Sequence, residues 1–153
     1  MKRKLVNSSS FTFPSKSVNE AFARMSVAAM AIQLDPTIEE LADIKTAVSE
    51  AVTNCIVHAY RDYVGTIKIA VKYFDDGLLR IYIKDTGCGI GDIGRAMEPL
   101  YTSDGSGERS GMGFTIMQSF MDKCRVSSKD GKGTSVVLEK LIGKAKTSDR
   151  ANG

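Results

Sequence analysis

TIKIAVKYFDDGLLRIYIKD, residues 66–85, holds two alternating segments around a tight turn. In the first, Ile67, Ile69, Val71 and Tyr73 share one side, with Lys68, Ala70 and Lys72 on the other. In the second, Leu79, Ile81 and Ile83 oppose Arg80, Tyr82 and Lys84. A period of two is the mark of a half-buried strand, and Asp75-Asp76-Gly77 has the composition of a hairpin turn. The stretch predicts an antiparallel hairpin with one apolar face. The same counting puts Asp85 on that face, where a carboxylate costs free energy unless something hydrogen-bonds it.

Upstream, Pro36 opens a helix predicted over about 37–60, with Thr37 and Glu40 spaced as a capping box. Leu41, Ile44, Val48, Val52, Cys55 and Ala59 form its apolar stripe. Glu50, Asn54 and His58 step by four and so stack in one column away from that stripe, interleaved with Ala47 and Val57. An earlier helix is expected to run to about Gln33, capped from Ser15–Ser17, with Val18, Phe22, Met25, Ala29 and Ile32 facing the core. Residues 5–13 read as a strand with an irregular beginning.

Downstream, DTGCGIG (85–91) leads into a loop-like region through about Gly111, containing a short helical turn near 93–97 and the polar run TSDGSGERSG. A third helix is expected over Phe114–Lys123, entered from Gly111-Met112-Gly113. Two closing strands follow over about 124–129 and 133–140. One strand, two helices, a hairpin, a lid, a helix and a second hairpin leave helices for only one side of the sheet. That order predicts an α+β two-layer sandwich, a mixed and mostly antiparallel sheet under three main helices, and not a doubly wound nucleotide fold. Residues 1–143 read as one domain and 144–153 as a disordered basic tail.

The bulk numbers limit what such a domain does. The formal charge of +3 over 153 residues is carried by the ends. Lys2, Arg3 and Lys4 supply three charges and residues 139–153 a net two, leaving −2 for residues 5–138. That balance argues against binding nucleic acid through phosphate neutralisation. No run approaches the roughly 20 apolar residues of a membrane span, and no apolar segment follows the basic start, so a cytoplasmic location is expected. Cys55, Cys88 and Cys124 lack disulfide or zinc spacing, and Cys55 and Cys124 read as small core residues.

Four short motifs carry the chemistry: Glu50 with Asn54; Asp85-Thr86-Gly87-Cys88-Gly89; Arg109-Ser110-Gly111-Met112-Gly113-Phe114; and Gly131-Lys132-Gly133-Thr134. Asp85 is a suitable acceptor for an exocyclic amine on a base, with Thr134 a further contact. Gly87 and Gly89 allow close approach of the backbone. Free N–H groups at the start of the third helix favour phosphate oxygens, and Arg109 beside them can stabilise terminal-phosphate charge. Asn54 offers an oxygen to Mg²⁺, and Glu50, one turn earlier, can take a proton from a nucleophile. His58 reads as a packing or capping residue. The Walker pattern is absent, so no P-loop is expected.

In this order the motifs resemble the N, G1, G2 and G3 boxes of the GHKL (Bergerat-fold) ATPases, shared by gyrase B, histidine kinases and MutL, over about residues 45–138. The segments SVNEAFARMSVAAM (17–30), LDPTIEELADIKTAVSEAVTNCIVHAY (34–60), EPLYTS (98–103) and ERSGMGFTIMQSFMD (108–122) are similar to the anti-sigma-F family of spore-forming bacteria, with general-stress anti-sigma kinases as the nearest relatives. That resemblance implies a homodimer that binds ATP or ADP with Mg²⁺ and holds a sigma factor. It also implies a serine kinase that phosphorylates an anti-anti-sigma protein docking on the same surface. Glu20 and Arg24 match positions used there for partner docking. Ala59 stands where relatives of this family often carry glycine. A nucleotide-gated sigma binder without phosphate transfer is the alternative.

Overall fold

The computed structural model describes residues 2–60, 63–87, 110–129 and 132–143. Its strands are β1 (Leu5–Pro14), β2 (Thr66–Phe74), β3 (Leu78–Asp85), β4 (Lys123–Lys129) and β5 (Gly133–Leu141). They form one sheet in the order β1-β2-β3-β5-β4. Every neighbouring pair is antiparallel, so the mixed sheet expected from sequence is purely antiparallel among the described residues. The β2–β3 register sets Ile69 opposite Ile83 and Ile67 opposite Asp85. Asp85 thus ends the apolar row, as the alternation predicts. The basic N-terminus has a structural use: Arg3 pairs with Asp76 at 2.6 Å, and the Asp75 N–H donates to the Lys4 carbonyl, so the chain start is tied to the β2–β3 turn.

Three helices, α1 (Asn19–Ile32), α2 (Ile38–Asn54) and α3 (Ser110–Phe120), accompany the sheet, and α2 packs against both of the others. The expected capping box is present: the Thr37 hydroxyl accepts from the Glu40 N–H at 3.0 Å and the Glu40 carboxylate from the Thr37 N–H at 2.8 Å. Ile44, Val48 and Val52 of α2, Met117 of α3 and the sheet residues Ile67, Ile69, Ile81, Ile83 and Leu138 are fully buried together. These large side chains make the shared core.

Two expectations for α1 fail. Its buried residues are Ala23, Val27, Ala28 and Ala31, whereas Val18, Met25 and Ile32 of the expected stripe are 79%, 54% and 57% exposed. The helix is apolar on more than one side, and its small residues are the buried ones, in a helix that packs mainly against α2. Phe22 instead rests against the rings of Phe11 and Phe13 on β1. Nor does a serine cap α1, whose N-cap position is Val18, without a side-chain bond. Ser15 is engaged elsewhere, its hydroxyl accepting from the Gly65 N–H at 2.9 Å and fastening β1 to the approach to β2. The third helix also starts earlier than expected, with Ser110–Gly113 as its first turn.

The opposite sheet face carries no helix among the described residues. It presents Lys68, Lys72, Arg80, Lys84 and Arg125, with Glu139 held between Arg80 (3.1 Å) and Arg125 (2.6 Å). The net charge of −2 for the body therefore averages over a distinctly cationic surface, which the sequence sum concealed.

Candidate nucleotide site

The floor of the site is the end of β3. Asp85 is 4% exposed, yet its carboxylate is well supplied with donors. Oδ1 accepts from the Gly87 N–H at 3.0 Å and from the Thr134 N–H at 3.2 Å. Oδ2 accepts from the Cys55 thiol at 3.4 Å. Burial raises the Asp85 carboxyl above the ordinary carboxylate value, and these three donors partly offset that rise. The fold therefore brings Thr134, 49 residues further along the chain, to Asp85 and its neighbour Gly87. The Thr134 hydroxyl is 3.0 Å from that of Ser128.

The glycines serve this convergence in a way sequence alone does not reveal. A Cβ on Gly87 would collide with the Ala59 carbonyl oxygen, so its bareness is demanded by the end of the helical segment beside it. Gly133 has φ +94°, and a Cβ there would meet the Asp85 carbonyl oxygen. It brings the Thr134 N–H within reach of the carboxylate. Gly89 and Arg109 lie outside the described residues, as do Cys88, Gly131, the part of the expected loop region up to residue 109 with its helical turn near 93–97, and the tail 144–153.

One wall is the C-terminal end of α2. Beyond Asn54 the helix widens into a π turn, Cys55–Ala59, closed by a bond of 3.2 Å from the Tyr60 N–H to the Cys55 carbonyl. Such turns are uncommon and favour functional sites. Because the turn is wider than α-helical, His58 does not continue the column of Glu50 and Asn54 with α-helical spacing. Tyr60, 4% exposed, then clasps the floor. Its hydroxyl accepts from the Thr86 N–H at 2.6 Å and donates to the Thr66 carbonyl at 2.8 Å. Neither the Tyr60 clasp nor the Cys55–Asp85 bond is anticipated from sequence. The usable signal was a tyrosine at the end of an amphipathic helix, because a buried tyrosine hydroxyl needs a partner.

Asn54 has both side-chain polar atoms, Oδ1 and Nδ2, buried without a hydrogen-bond partner among the described residues. An orphaned amide costs on the order of 1–3 kcal/mol, so the position suits a group arriving from outside. An oxygen donor of this kind fits Mg²⁺. Among the described residues no cluster of three or more His, Cys, Asp or Glu is arranged to hold a metal. An ion here would depend on phosphate oxygens and water as well. The first turn of α3, Ser110, Gly111, Met112 and Gly113, provides backbone N–H groups that a helix leaves without internal partners.

Glu50 lines a different opening. With Ser17, Glu20, Arg24, Ser49 and Thr53 it borders a groove of about 460 Å³ between α1 and α2. Glu20 and Arg24 form an ion pair at 3.0 Å across one helical turn. Asp85 is not among the groove's lining residues. Asn54, one turn beyond Glu50 on α2, is followed at once by Cys55, which touches the floor.

Residues 13–140 match the model of the histidine kinase-like ATPase domain, a family of nucleotide-binding domains. The anti-sigma F factor of Caldanaerobacter subterraneus subsp. tengcongensis is 58% identical over 132 residues, covering 86% of this chain and 92% of the relative. That of Clostridium acetobutylicum is 52% identical over 136 residues, covering 89% and 94%. In fold, the chain is similar to the crystal structure of the RsbU and RsbW domains of a Mycobacterium tuberculosis protein (TM-score 0.66, 19% identity, 90% of this chain and 32% of that one). It is also similar to the histidine kinase domain of a blue-light-activated kinase from Erythrobacter litoralis (TM-score 0.55, 20% identity, 84% and 63%). A carboxylate floor, an orphaned amide on the adjoining helix and matches along nearly all of the folded chain agree: this chain belongs to the histidine kinase-like ATPase family and, within it, to the anti-sigma F factors.

Proposed function

We propose that this chain is a cytoplasmic anti-sigma factor that holds a sigma-F-type factor while nucleotide is bound. We further propose that it is a serine kinase that inactivates an anti-anti-sigma protein. The observation that carries the reading is the placement of Glu50 on the Glu20–Arg24 groove, one helical turn from the unpartnered Asn54 amide. A carboxylate there connects a protein-docking edge to a nucleotide site.

In this reading Asp85 accepts the adenine amine, and Thr134 contacts the base directly or through water. Gly87 and Gly89 let the backbone approach base and sugar. The N–H groups of Ser110–Gly113 bind phosphate oxygens, and Arg109 stabilises charge on the terminal phosphate. Asn54 would hold Mg²⁺, which supplies charge neutralisation to the phosphates when bound. Glu20 and Arg24 dock the partner so that its serine hydroxyl enters the groove. Glu50 removes the hydroxyl proton as the serine oxygen bonds to the γ-phosphorus, and the bond to the β–γ bridging oxygen breaks to leave ADP. Sigma factor and antagonist compete for one surface, and the active species is a homodimer.

The test uses the full chain with Mg²⁺ and γ-labelled ATP, with and without the anti-anti-sigma protein. Label is expected on an acceptor serine, and Glu50→Ala is expected to slow transfer about 10²- to 10⁴-fold while ATP binding persists. Binding without transfer in the unaltered chain would leave a nucleotide-gated sigma binder. Transfer to a general-stress antagonist in preference to a sporulation one would reassign the pathway.

A further inference from the structure

We propose that Cys55 is a positioning residue for nucleobase recognition: its thiol holds Oδ2 of Asp85 where that oxygen accepts the adenine 6-amino group. The inference rests on the reading of Asp85 as the base acceptor and adds a residue to it. Among the described residues, Asp85 has two backbone donors, both on Oδ1, and one side-chain donor, the Cys55 thiol, on Oδ2 at 3.4 Å.

The division of labour follows from carboxylate chemistry. Bonds to Oδ1 alone fix one oxygen, but the terminal torsion of an aspartate is broad, so Oδ2 is left free to swing. Each carboxylate oxygen has room for about two donors. The thiol occupies one position on Oδ2 and leaves the other for an incoming amine. A thiol meeting an ionised carboxylate has to donate, since the carboxylate offers only acceptor oxygens. A thiol is also a weak donor. It orients Oδ2 without neutralising the charge that a base amine seeks.

Cys55 is also well placed in the chain. It follows Asn54 directly and opens the π turn, and its own carbonyl takes the Tyr60 N–H. The carboxylate for the base and the amide proposed for the phosphate side are therefore set by consecutive residues on one rigid element. Filling space in the core, the role read from sequence, requires 5% exposure but not a thiol aimed at Asp85.

The experiment separates orientation from packing. Calorimetric affinities for ATP and for purine riboside triphosphate, which has hydrogen in place of the 6-amino group, are measured on the full chain and on Cys55→Ala, Cys55→Val and Cys55→Ser, with thermal melts confirming folding. The unaltered chain is expected to favour ATP roughly tenfold or more, the scale of a hydrogen bond to a charged group. Cys55→Ala is expected to reduce that preference about three- to tenfold by weakening ATP alone, and Cys55→Ser to keep it. Cys55→Val fills the space without a donor and carries the same expectation if the alanine variant does not fold. Equal weakening of both nucleotides, or an undiminished preference in a folded donorless variant, overturns the proposal while leaving Asp85 as the acceptor. Equal affinity of the unaltered chain for both nucleotides overturns the Asp85 assignment, and this one with it.

Discussion

Asp85 shows how much of a site depends on one side chain and its surroundings. It is an acid in an apolar row, and burial holds its carboxyl above the ordinary carboxylate value. Because the folded value is raised, ionisation of Asp85 subtracts from stability above that value, and the subtraction disappears as pH falls through it. Base recognition has the opposite sign, since protonation removes the charged acceptor. Affinity for ATP is therefore expected to fall as pH drops, with a midpoint above the ordinary carboxylate value, while purine riboside triphosphate changes less. Calorimetry between roughly pH 5 and 8 would follow the upper part of this limb. Asp85→Asn is expected to cost ATP about 10- to 100-fold in affinity across that range, the loss of a charged hydrogen bond.

At the level of elements, α2 is the member on which everything else is aligned. Its start is set by the reciprocal Thr37–Glu40 bonds, and its end carries Glu50, Asn54 and the π turn. Cap removal by Thr37→Ala is expected to destabilise the protein by about 1 kcal/mol, lowering the thermal midpoint by roughly 3 °C. A melt monitored by circular dichroism checks this. The cap lies at the opposite end of α2 from Asn54, so ATP affinity at saturating folding is expected to be unchanged. The capping box, the α2 stripe and both hairpins were legible because each is a short-range pattern. The core face of α1 was not, because Ala23, Val27, Ala28 and Ala31 form a second apolar track beside the larger one. The choice between the two is made by packing against α2 and the sheet.

Across the whole molecule, the two sheet faces divide the chemistry. One is apolar and closed by helices, and the other gathers the cations. Lys68 stands directly opposite Lys84, and Lys72 opposite Arg80. Like charges in register are destabilising, which is relieved in part by Arg80 over the Phe74 ring at 5.1 Å and by Glu139. Burial alone would raise the Glu139 carboxyl, but the Arg125 and Arg80 guanidiniums together hold it below its ordinary value. Lys84→Glu, which turns a like-charge pair into an attractive one, is expected to stabilise the fold by about 0.5 kcal/mol. It should also weaken the dependence of stability on salt, and urea melts at two ionic strengths would show both.

The sequence by itself determined the period of each strand, the hairpin turns, the start of α2, the burial of Asp85 and the residue types able to meet a nucleotide. All of these are set by neighbours a few positions apart, where backbone geometry alone fixes which side chains share a face. Tertiary structure alone decided that Thr134 and Cys55 converge on one carboxylate, that Tyr60 bolts the helix end to β3 and that α1 turns its small residues inward. It also decided that a chain with a near-neutral body gathers Lys68, Lys72, Arg80, Lys84 and Arg125 on one sheet face. These depend on which elements meet and how closely, and that is governed by side-chain volume and hydrogen-bond partners from distant parts of the chain, which no local period encodes.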